Sequence, residues 1–457
     1  MTAGRTAHVI VLGSLVQSPR IVLHARYLAL SGWSVSLSGY LNKGEDFPES
    51  NGLRIFPIVI GPDFRKFIYP HILALIFKFV FVSVLLLCHL IRHCRSNVVL
   101  LQNPPAVPSF MLLWIYTRMT RKHLMIDWHN YGYSLLELNS KRNSLSSRIY
   151  RFLELGFAER FLTDCRHFCV SRALQQDLRK HKIQAVVYYD RPPEEFKSTS
   201  VDLAHQLFTR LSLDYHALGD RDGSLRRTRF TEITVLPASH GGLQPQWRRD
   251  RPALVVSSCS WTPDDDFSIV LDALDIYNAK ADTPRSTLPN MMFVVTGRGP
   301  LKAHYERLIR NKRWARVEVI MPWLDWADYP VFLGCADLGV SLHRSSSGLD
   351  LPMKVVDLIG VGVPVLALTY PTLHELLPNN GSRLGCHFTD ADDLARLMVQ
   401  LLTPSQPTDI DEGLMEFGSS ELRRLRLNLQ NYNKHTTRAF AYWQKVALPA
   451  FNKALTV

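Results

Sequence analysis

The chain has 457 residues, of which 46% are hydrophobic and 21% are charged, and its formal net charge at pH 7 is +12. This composition excludes wholesale disorder and provides enough chain for two or three domains with sizeable cores. The positive charge favours an anionic ligand or surface, but the sequence has neither zinc-finger spacing nor long Lys/Arg runs, so we expect no nucleic acid as a partner.

The first part of the chain alternates short apolar runs with helical patterns. Strands are predicted at residues 8–12, 33–37, 53–58, 97–101, 123–128, 167–170 and 185–189. Such alternation is typical of a parallel sheet that is covered by helices on both faces. We therefore predict an α/β domain over residues 1–190.

The first strand-to-helix turn contains Gly13, Ser14 and Ser18, followed by Pro19 and Arg20. Proline suits the first helical position, and the free N–H groups at a helix start attract anions. We predict that this turn and its arginine bind an anion; a solvent-facing arginine is the alternative.

Residues 67–91 form a long apolar run with Lys78 as its main interruption and basic residues at both ends. A helix of about 20 apolar residues can span a bilayer, although a charge at mid-span costs about 3 kcal/mol. Three interpretations stay open: a membrane span, a helix lying in the membrane surface, or a helix of the core.

The run Asp127-Trp128-His129-Asn130 ends a predicted strand. Histidine titrates near neutral pH and can act as a general base, and Asp127 or Glu137 is available to orient the ring. Ligands of parallel sheets bind at the carboxyl ends of the strands, so we predict that His129 is catalytic. A purely structural histidine is the alternative.

Residues 191–252 interrupt the alternation, and we interpret them as a linker with an insertion that is exposed at 220–223 and 246–250. Strands then resume at residues 254–258, 291–296, 317–320, 337–342 and 365–368. We predict a second doubly wound domain over 253–435 and a C-terminal helix over 436–457. With two such domains, the expected site is the cleft between them.

A first strand-to-helix loop of the second domain reads Thr296-Gly297-Arg298-Gly299. Glycines let a backbone approach a ligand closely, and arginine can bind phosphate through two hydrogen bonds. We predict a phosphate contact here, with a plain glycine turn and a solvated arginine as the alternative.

A second such loop, residues 345–357, combines small residues with a helix start. It contains Ser346, Ser347, Gly348, Leu349, Pro352, Lys354 and Asp357. The helix N-terminus and Lys354 suit a diphosphate, and Asp357 suits the hydroxyl groups of a ribose. An ordinary βαβ unit with a solvated loop is the alternative.

The acidic run Asp264-Asp265-Asp266 follows the first strand of the second domain. We favour capping of the next helix over metal binding. The spacing of Cys165 and Cys169 fits a strand better than a metal site. We therefore expect neither a metal nor another cofactor.

These features together resemble a known family. The stretches that carry the resemblance are Ser18-Pro19-Arg20, Asp127-Trp128-His129-Asn130-Tyr131-Gly132, Ser260-Trp261-Thr262-Pro263-Asp264, Gly299-Pro300-Leu301-Lys302, Ala336-Asp337-Leu338-Gly339-Val340 and residues 345–357. On them the second domain looks like the nucleotide-sugar domain of GT-B glycosyltransferases. Nearly the whole chain outside the linker is similar to the dolichol-pathway chitobiosyldiphosphodolichol β-mannosyltransferases.

The resemblance implies a GT-B fold and an inverting enzyme that transfers mannose from GDP-mannose to a lipid-linked chitobiose diphosphate in a β-1,4 linkage. It implies the cytosolic face of the endoplasmic reticulum membrane as location and other dolichol-pathway mannosyltransferases as candidate partners. Its implied site has His129 as base, Arg298, Gly299, residues 346–349 and Lys354 on the donor diphosphate, and Asp357 on its ribose. Arg20 with Gly13, Ser14 and Ser18 would hold the acceptor diphosphate.

The sequence also departs from the family pattern. Family members commonly have an acidic residue in place of Ser14 and Met in place of Ile21. Many have an amino-terminal membrane anchor, which we do not expect here. Two other functions stay open: a catalytically weak, membrane-bound paralogue that acts as a scaffold, and a retaining GT-B transferase with another nucleotide sugar.

Overall fold

The computed structural model describes residues 4–41, 51–59, 61, 64, 71–138, 144–220, 223, 225–236, 242–263, 265–378, 383–404 and 418–455. The chain separates into two compact units. Unit 1 comprises Met1–Asp190, Ser346–Leu351 and Ala439–Val457, and unit 2 comprises Arg191–Ser345 and Pro352–Arg438. The domain limits given above stay predictions.

Unit 1 is built on a parallel sheet with the strand order β3-β2-β1-β4-β5-β6-β7. Its strands are β1 (Thr6–Ser14), β2 (Ser34–Tyr40), β3 (Leu53–Ile55), β4 (Val98–Asn103), β5 (His123–Trp128), β6 (Arg166–Cys169) and β7 (Ala185–Val187). The central strands are buried on both faces, which explains their continuous apolar sequence. The strand order reverses between β1 and β4, where ligands of such sheets commonly bind.

Helices connect these strands. They are α1 (Pro19–Leu30), α2 (His71–His93), α3 (Ser109–Met119), α4 (Gly132–Leu138), α5 (Leu145–Arg151), α6 (Phe157–Phe161) and α7 (Arg172–Lys180). A π-helical turn, Phe152–Gly156, joins α5 to α6.

Helix α2 contains most of the apolar run discussed above; residues 67–70 of that run lie outside the described residues. Leu86 and Leu90 are buried against the sheet, so one face of α2 packs on the core. Over residues 76–93 the mean hydropathy is 1.8 and only 17% of the residues are buried. By length and composition this helix is able to cross a membrane.

Unit 2 contains a six-stranded parallel sheet with the order β12-β11-β10-β13-β14-β15 and an antiparallel hairpin, β8-β9. The strands are β8 (Thr231–Leu236), β9 (Gly242–Trp247), β10 (Ala253–Ser258), β11 (Met291–Thr296), β12 (Val317–Ile320), β13 (Leu338–Ser341), β14 (Val365–Leu368) and β15 (Gly385–Phe388). The helices are α8 (Val201–Leu211), α9 (Ser268–Ala281), α10 (Lys302–Arg310), α11 (Asp328–Leu333), α12 (Met353–Val361), α13 (Ala391–Leu402) and α14 (Ser420–His435).

The expectation of an exposed loop at residues 246–250 is wrong for its first two residues, because β9 extends to Trp247. The preceding stretch also contributes to the core of unit 2, where Phe208 of α8 and Phe230 are fully buried. Buried α8 residues recur at three- and four-residue spacing, a helical period that the polar composition of the stretch concealed.

The C-terminal segment forms two helices, α15 (Ala439–Val446) and α16 (Leu448–Ala454), so the prediction of one helix over 436–457 is wrong. The break coincides with Pro449, which lacks the N–H needed to continue a helix. Trp443 and Phe451 are fully buried in the core of unit 1.

Candidate active site

A buried arginine–aspartate pair lies at the first turn of unit 1. Arg20 donates from Nε and Nη2 to the two carboxylate oxygens of Asp127 at 2.8 and 2.9 Å. Its Nη1 donates to Asp190 Oδ1 and to the carbonyl oxygen of Tyr188, both at 2.8 Å. Arg20 is 1% exposed and Asp127 is 0% exposed.

This geometry leaves Arg20 unable to hold an acceptor phosphate as predicted, because all three guanidinium nitrogens are occupied inside the core. The sequence suggested a ligand-facing arginine because it follows a helix start. Arg20 instead points from α1 toward the sheet, where it neutralises a buried carboxylate.

The other predicted residues of this turn remain at the carboxyl end of β1. Gly13 and Ser14 end the strand, and Ser18 is the N-cap of α1. The Ser18 side chain makes no capping hydrogen bond. Any anion contact at this turn therefore rests on the backbone and serine hydroxyls.

Asp127 orients His129. The two residues share one face of the chain at the end of β5, and His129 Nε2 lies 2.9 Å from Asp127 Oδ2. Burial alone would raise the pKa of Asp127, but Arg20 and then His129 hold it well below its ordinary value. Because the carboxylate can only accept, Nε2 carries the proton of a neutral His129 and Nδ1 is left with a lone pair.

His129 is the member of this cluster that solvent reaches, since its side chain is 22% exposed. Asp127 is therefore a positioning group for the imidazole, and its complete burial excludes it as an alternative base. Glu137, the other candidate, accepts a hydrogen bond from Ser147 at 2.5 Å.

A second histidine completes the surroundings of Asp127. His24 lies four residues after Arg20 on the same face of α1, and its Nε2 is 3.4 Å from Asp127 Oδ2. Trp443 donates its indole N–H to His24 Nδ1 at 2.9 Å, which fixes the ring orientation. Burial lowers the pKa of His24 and so favours the neutral imidazole.

A buried glutamate that sequence reasoning missed fixes the backbone after His129. Glu154, in the π-helical turn, accepts hydrogen bonds from Asn103 Nδ2 and Gly132 N, both at 2.9 Å. It also accepts from Tyr133 N at 3.1 Å. Glu154 is fully buried, and this burial raises its pKa. A single acid among Phe152, Leu153 and Leu155 was the available signal.

Four of the predicted donor-binding residues, Ser346, Ser347, Gly348 and Leu349, belong to unit 1. Ser346 Oγ accepts a hydrogen bond from Asn130 Nδ2 at 3.0 Å and lies 2.8 Å from Ser134 Oγ. Ser171 donates to the carbonyl oxygen of Leu349. Asn130 directly follows His129, so this loop is fixed next to the predicted base.

Lys354 lies in the first turn of α12 in unit 2, as predicted, with Pro352 as N-cap. Its Nζ contacts Asp265 Oδ2 at 2.5 Å and Ser260 Oγ at 2.9 Å. Burial alone would raise the pKa of Asp265, but Lys354 and the Ser260 donors hold it below its ordinary value. Asp265 therefore positions the lysine.

The aspartates of the acidic run make different contacts. Asp265 binds Lys354, and Asp266 accepts hydrogen bonds from Ser268 at the start of α9; Asp264 lies outside the described residues. Among the described residues, no three His, Cys, Asp or Glu side chains converge as a metal site would require.

Arg298 is exposed in the loop after β11, and its guanidinium carbon lies 3.7 Å from the ring centroid of Trp323. A Cβ at Gly297 would come within 2.0 Å of the Cys259 carbonyl oxygen, and one at Gly299 within 1.8 Å of the Ser260 carbonyl oxygen. The glycines thus let the loops after β10 and β11 pack backbone against backbone. This packing holds the loop that contains Arg298 against the backbone of Ser260, whose side chain contacts Lys354.

Asp357, the predicted ribose ligand, lies one turn after Lys354 on α12 and is partly exposed. Tyr329 Oη lies 3.4 Å from its Oδ2. The roles of Arg298, Lys354 and Asp357 in binding the sugar donor therefore remain predictions.

Comparisons with known proteins agree with the resemblance. The chain is 38% identical to the chitobiosyldiphosphodolichol beta-mannosyltransferase of Mus musculus over 98% of this chain and 89% of the relative. It is 34% identical to the UDP-glycosyltransferase TURAN of Arabidopsis thaliana over 91% of this chain and 93% of that protein. No family model matches the chain.

Solved structures show the fold. A glycosyltransferase from Rickettsia africae superimposes with a TM-score of 0.59 over 99% of each chain at 13% identity. The predicted GT-B fold class is therefore confirmed.

Proposed function

This chain belongs to the chitobiosyldiphosphodolichol β-mannosyltransferase family, and on that premise we propose that it transfers mannose from GDP-mannose to GlcNAc2-diphosphodolichol in a β-1,4 linkage. That step is the first mannosylation in assembly of the N-glycan precursor. The chain is a dolichol-pathway mannosyltransferase; donor and linkage are the proposal.

The observation that carries the mechanism is the Asp127–His129 pair. Inversion needs one in-line displacement and one base. The lone pair on His129 Nδ1 takes the proton from the acceptor 4-hydroxyl as its oxygen bonds to the anomeric carbon. The bond between that carbon and the phosphate oxygen breaks, and GDP leaves with the electron pair.

Unit 2 supplies the charge that the leaving GDP needs. Lys354, the start of α12 and Arg298 are the donors for the diphosphate, and preorganised donors of this kind stabilise developing negative charge. Asp265 holds the ammonium in place before the donor binds. Asp357 accepts hydrogen bonds from the ribose.

The acceptor is lipid-linked, and α2 supports a membrane location. Its exposed side chains include Phe77, Val80, Val84, Leu87 and Ile91. We propose that this surface holds the enzyme at the cytosolic face of the endoplasmic reticulum, with basic residues near the lipid surface contributing about 1 kcal/mol each.

One reconstitution tests the proposal against its alternatives. Purified protein is given a short-chain lipid diphosphochitobiose with GDP-mannose, UDP-glucose or UDP-GlcNAc in separate reactions, and the product is treated with β-mannosidase. We expect transfer from GDP-mannose alone and a β-mannosidase-sensitive product. Transfer only from a UDP-sugar, which the TURAN name makes worth testing, or a resistant product would overturn it. Absence of turnover with every donor would support the alternative that the protein is a membrane-bound scaffold.

A further inference from the structure

Unit 1 contains a basic pocket at the amino-terminal ends of its strands, whereas His129 lies at their carboxyl ends. The pocket has a volume of about 730 Å³ and is lined in part by His123 and Arg166, which are the first residues of β5 and β6. His129 follows the other end of β5. A strand of this length spans roughly 20 Å, so the pocket is separate from the proposed catalytic group.

Positive charge dominates the lining. Among the described residues, the pocket is lined by Arg118, Arg121, Lys122 and Arg166 and by one carboxylate, Asp164. Arg118 approaches Asp164 at 3.4 Å, but their side chains are 59% and 83% exposed, so this pair is weak. The pocket therefore keeps an excess of cationic donors.

Most of these donors retain hydrogen-bonding capacity. Lys122 uses one donor on the Ser96 carbonyl oxygen at 2.7 Å. Arg166 uses one on the Lys453 carbonyl oxygen at 3.3 Å. Within the described part of the chain, the guanidinium of Arg121 has no hydrogen-bond or ion-pair partner.

The backbone at Arg121 is unusual for an arginine. Arg121 follows the C-cap of α3 with φ of 53°, the left-handed conformation in which glycine is least strained. The turn is closed by Lys122 N donating to the Thr117 carbonyl oxygen at 2.8 Å. Strained backbone that carries a charged side chain into a pocket points to a role for that side chain.

We propose that this pocket binds a ligand with one or more phosphate groups. Arginine forks match phosphate geometry, and Trp114 provides a flat wall beside Arg118. The phosphate belongs either to a soluble compound or to an anionic lipid headgroup. Nearby surfaces favour the headgroup, because Ile115 and Met119 of α3 are 41% and 80% exposed and α3 packs against α2 through hydrogen bonds from Tyr116 Oη.

The test uses the full chain with Arg118→Ala and Arg121→Gly combined. Glycine suits the backbone at 121, so thermal stability is expected to hold. Pyrophosphate binding is measured by calorimetry in one arm, with GDP present in excess to occupy the donor site proposed in unit 2. In the other arm, flotation compares vesicles of phosphatidylcholine alone with vesicles that also contain phosphatidylinositol. We expect the variant to lose about tenfold or more in affinity for pyrophosphate, for the vesicles that contain phosphatidylinositol, or for both. Mannosyl transfer to a short-chain acceptor should be unchanged.

Control variants separate this site from other sources of binding. Arg179→Ala removes an exposed charge elsewhere in unit 1, and Arg298→Ala removes one from the proposed donor site. Arg118→Lys with Arg121→Lys keeps the charge and should retain most binding. If the double variant loses affinity only in the vesicle arm, the ligand is a lipid headgroup. If it loses affinity in both arms, the pocket also binds soluble phosphate compounds. Binding of the double variant within about twofold of the wild type in both arms, or an equal loss in Arg179→Ala, would overturn the proposal.

Discussion

One histidine and one lysine define the two halves of the proposed chemistry, and each is held by a buried carboxylate. Asp127 fixes the tautomer of His129, and Asp265 fixes the ammonium of Lys354. Both carboxylates are almost fully buried while the groups they hold reach solvent. This arrangement keeps the reactive groups ordered before substrate binds, which is the source of electrostatic preorganisation.

His129→Gln is expected to reduce turnover about 10²–10⁴-fold, the usual contribution of a positioned base. Donor binding should be unchanged because Lys354, Arg298 and Asp357, which are proposed to bind GDP, lie in unit 2. Steady-state kinetics and GDP titration measure the two quantities. His304→Gln, at an exposed histidine of unit 2, is the matched control. A loss of less than about tenfold in His129→Gln would mean that the base is another group.

Lys354 needs a paired substitution. Removing it alone leaves the buried charge of Asp265 without its partner, which commonly costs 3–5 kcal/mol of stability. Lys354→Gln with Asp265→Asn removes both charges together. We expect a folded protein whose kcat/KM for the donor falls by about 10–100-fold, since a charge-assisted hydrogen bond contributes about 1.5–3 kcal/mol.

The control for this pair is Arg313→Ala, at an exposed arginine of the same unit, which should leave kinetics unchanged. Circular dichroism verifies folding. Normal donor kinetics in the folded double variant would remove Lys354 from the proposed site.

One face of helix α2 packs on the core of unit 1, and another apolar face of the same helix is exposed. Leu86 and Leu90 are buried, whereas Val80 and Val84 are 51% and 54% exposed. Val80→Asp with Val84→Asp therefore places charge on the exposed face only. Each charge at the centre of a membrane costs about 3 kcal/mol, so we expect the variant to leave the membrane pellet and appear folded in the soluble fraction.

Leu213→Asp is the matched control, because Leu213 is a 70% exposed leucine of unit 2 outside this surface. It should stay with the membranes. If the α2 variant also remains in the pellet after fractionation, attachment resides in another element.

The two sheets were predictable from sequence because buried parallel strands are continuous apolar runs, as in β5 and β11. The position of His129 followed from the same rule for strand ends. Helix α8 was missed because polar residues conceal its buried face. The partner of Arg20 could not be predicted, since Asp127 lies 107 residues away and only the folded sheet brings them together.

Across the whole molecule, the net charge of +12 and several buried histidines both make acid unfavourable for folding. Burial lowers the pKa of His8 to about 3 and that of His167 to about 4. In the neutral form, His167 Nδ1 accepts from Trp128 Nε1 at 3.0 Å and Nε2 donates to the Leu162 carbonyl oxygen at 2.8 Å. Protonation of Nδ1 would break the first of these bonds.

Stability should therefore fall as pH decreases from about 6.5 toward 4. In that window the unfolded chain binds protons on His8 and His167, whose unfolded pKa is about 6.5, while the folded chain does not. The free energy of unfolding decreases by up to about 1.4 kcal/mol per pH unit for each such histidine. Denaturant unfolding at pH 7.5, 6.5 and 5.5 measures this loss. His167→Gln, which keeps an acceptor and a donor, should reduce the slope of the unfolding free energy against pH by the contribution of about one proton. An unchanged slope in His167→Gln would mean that His167 is already protonated in the folded protein.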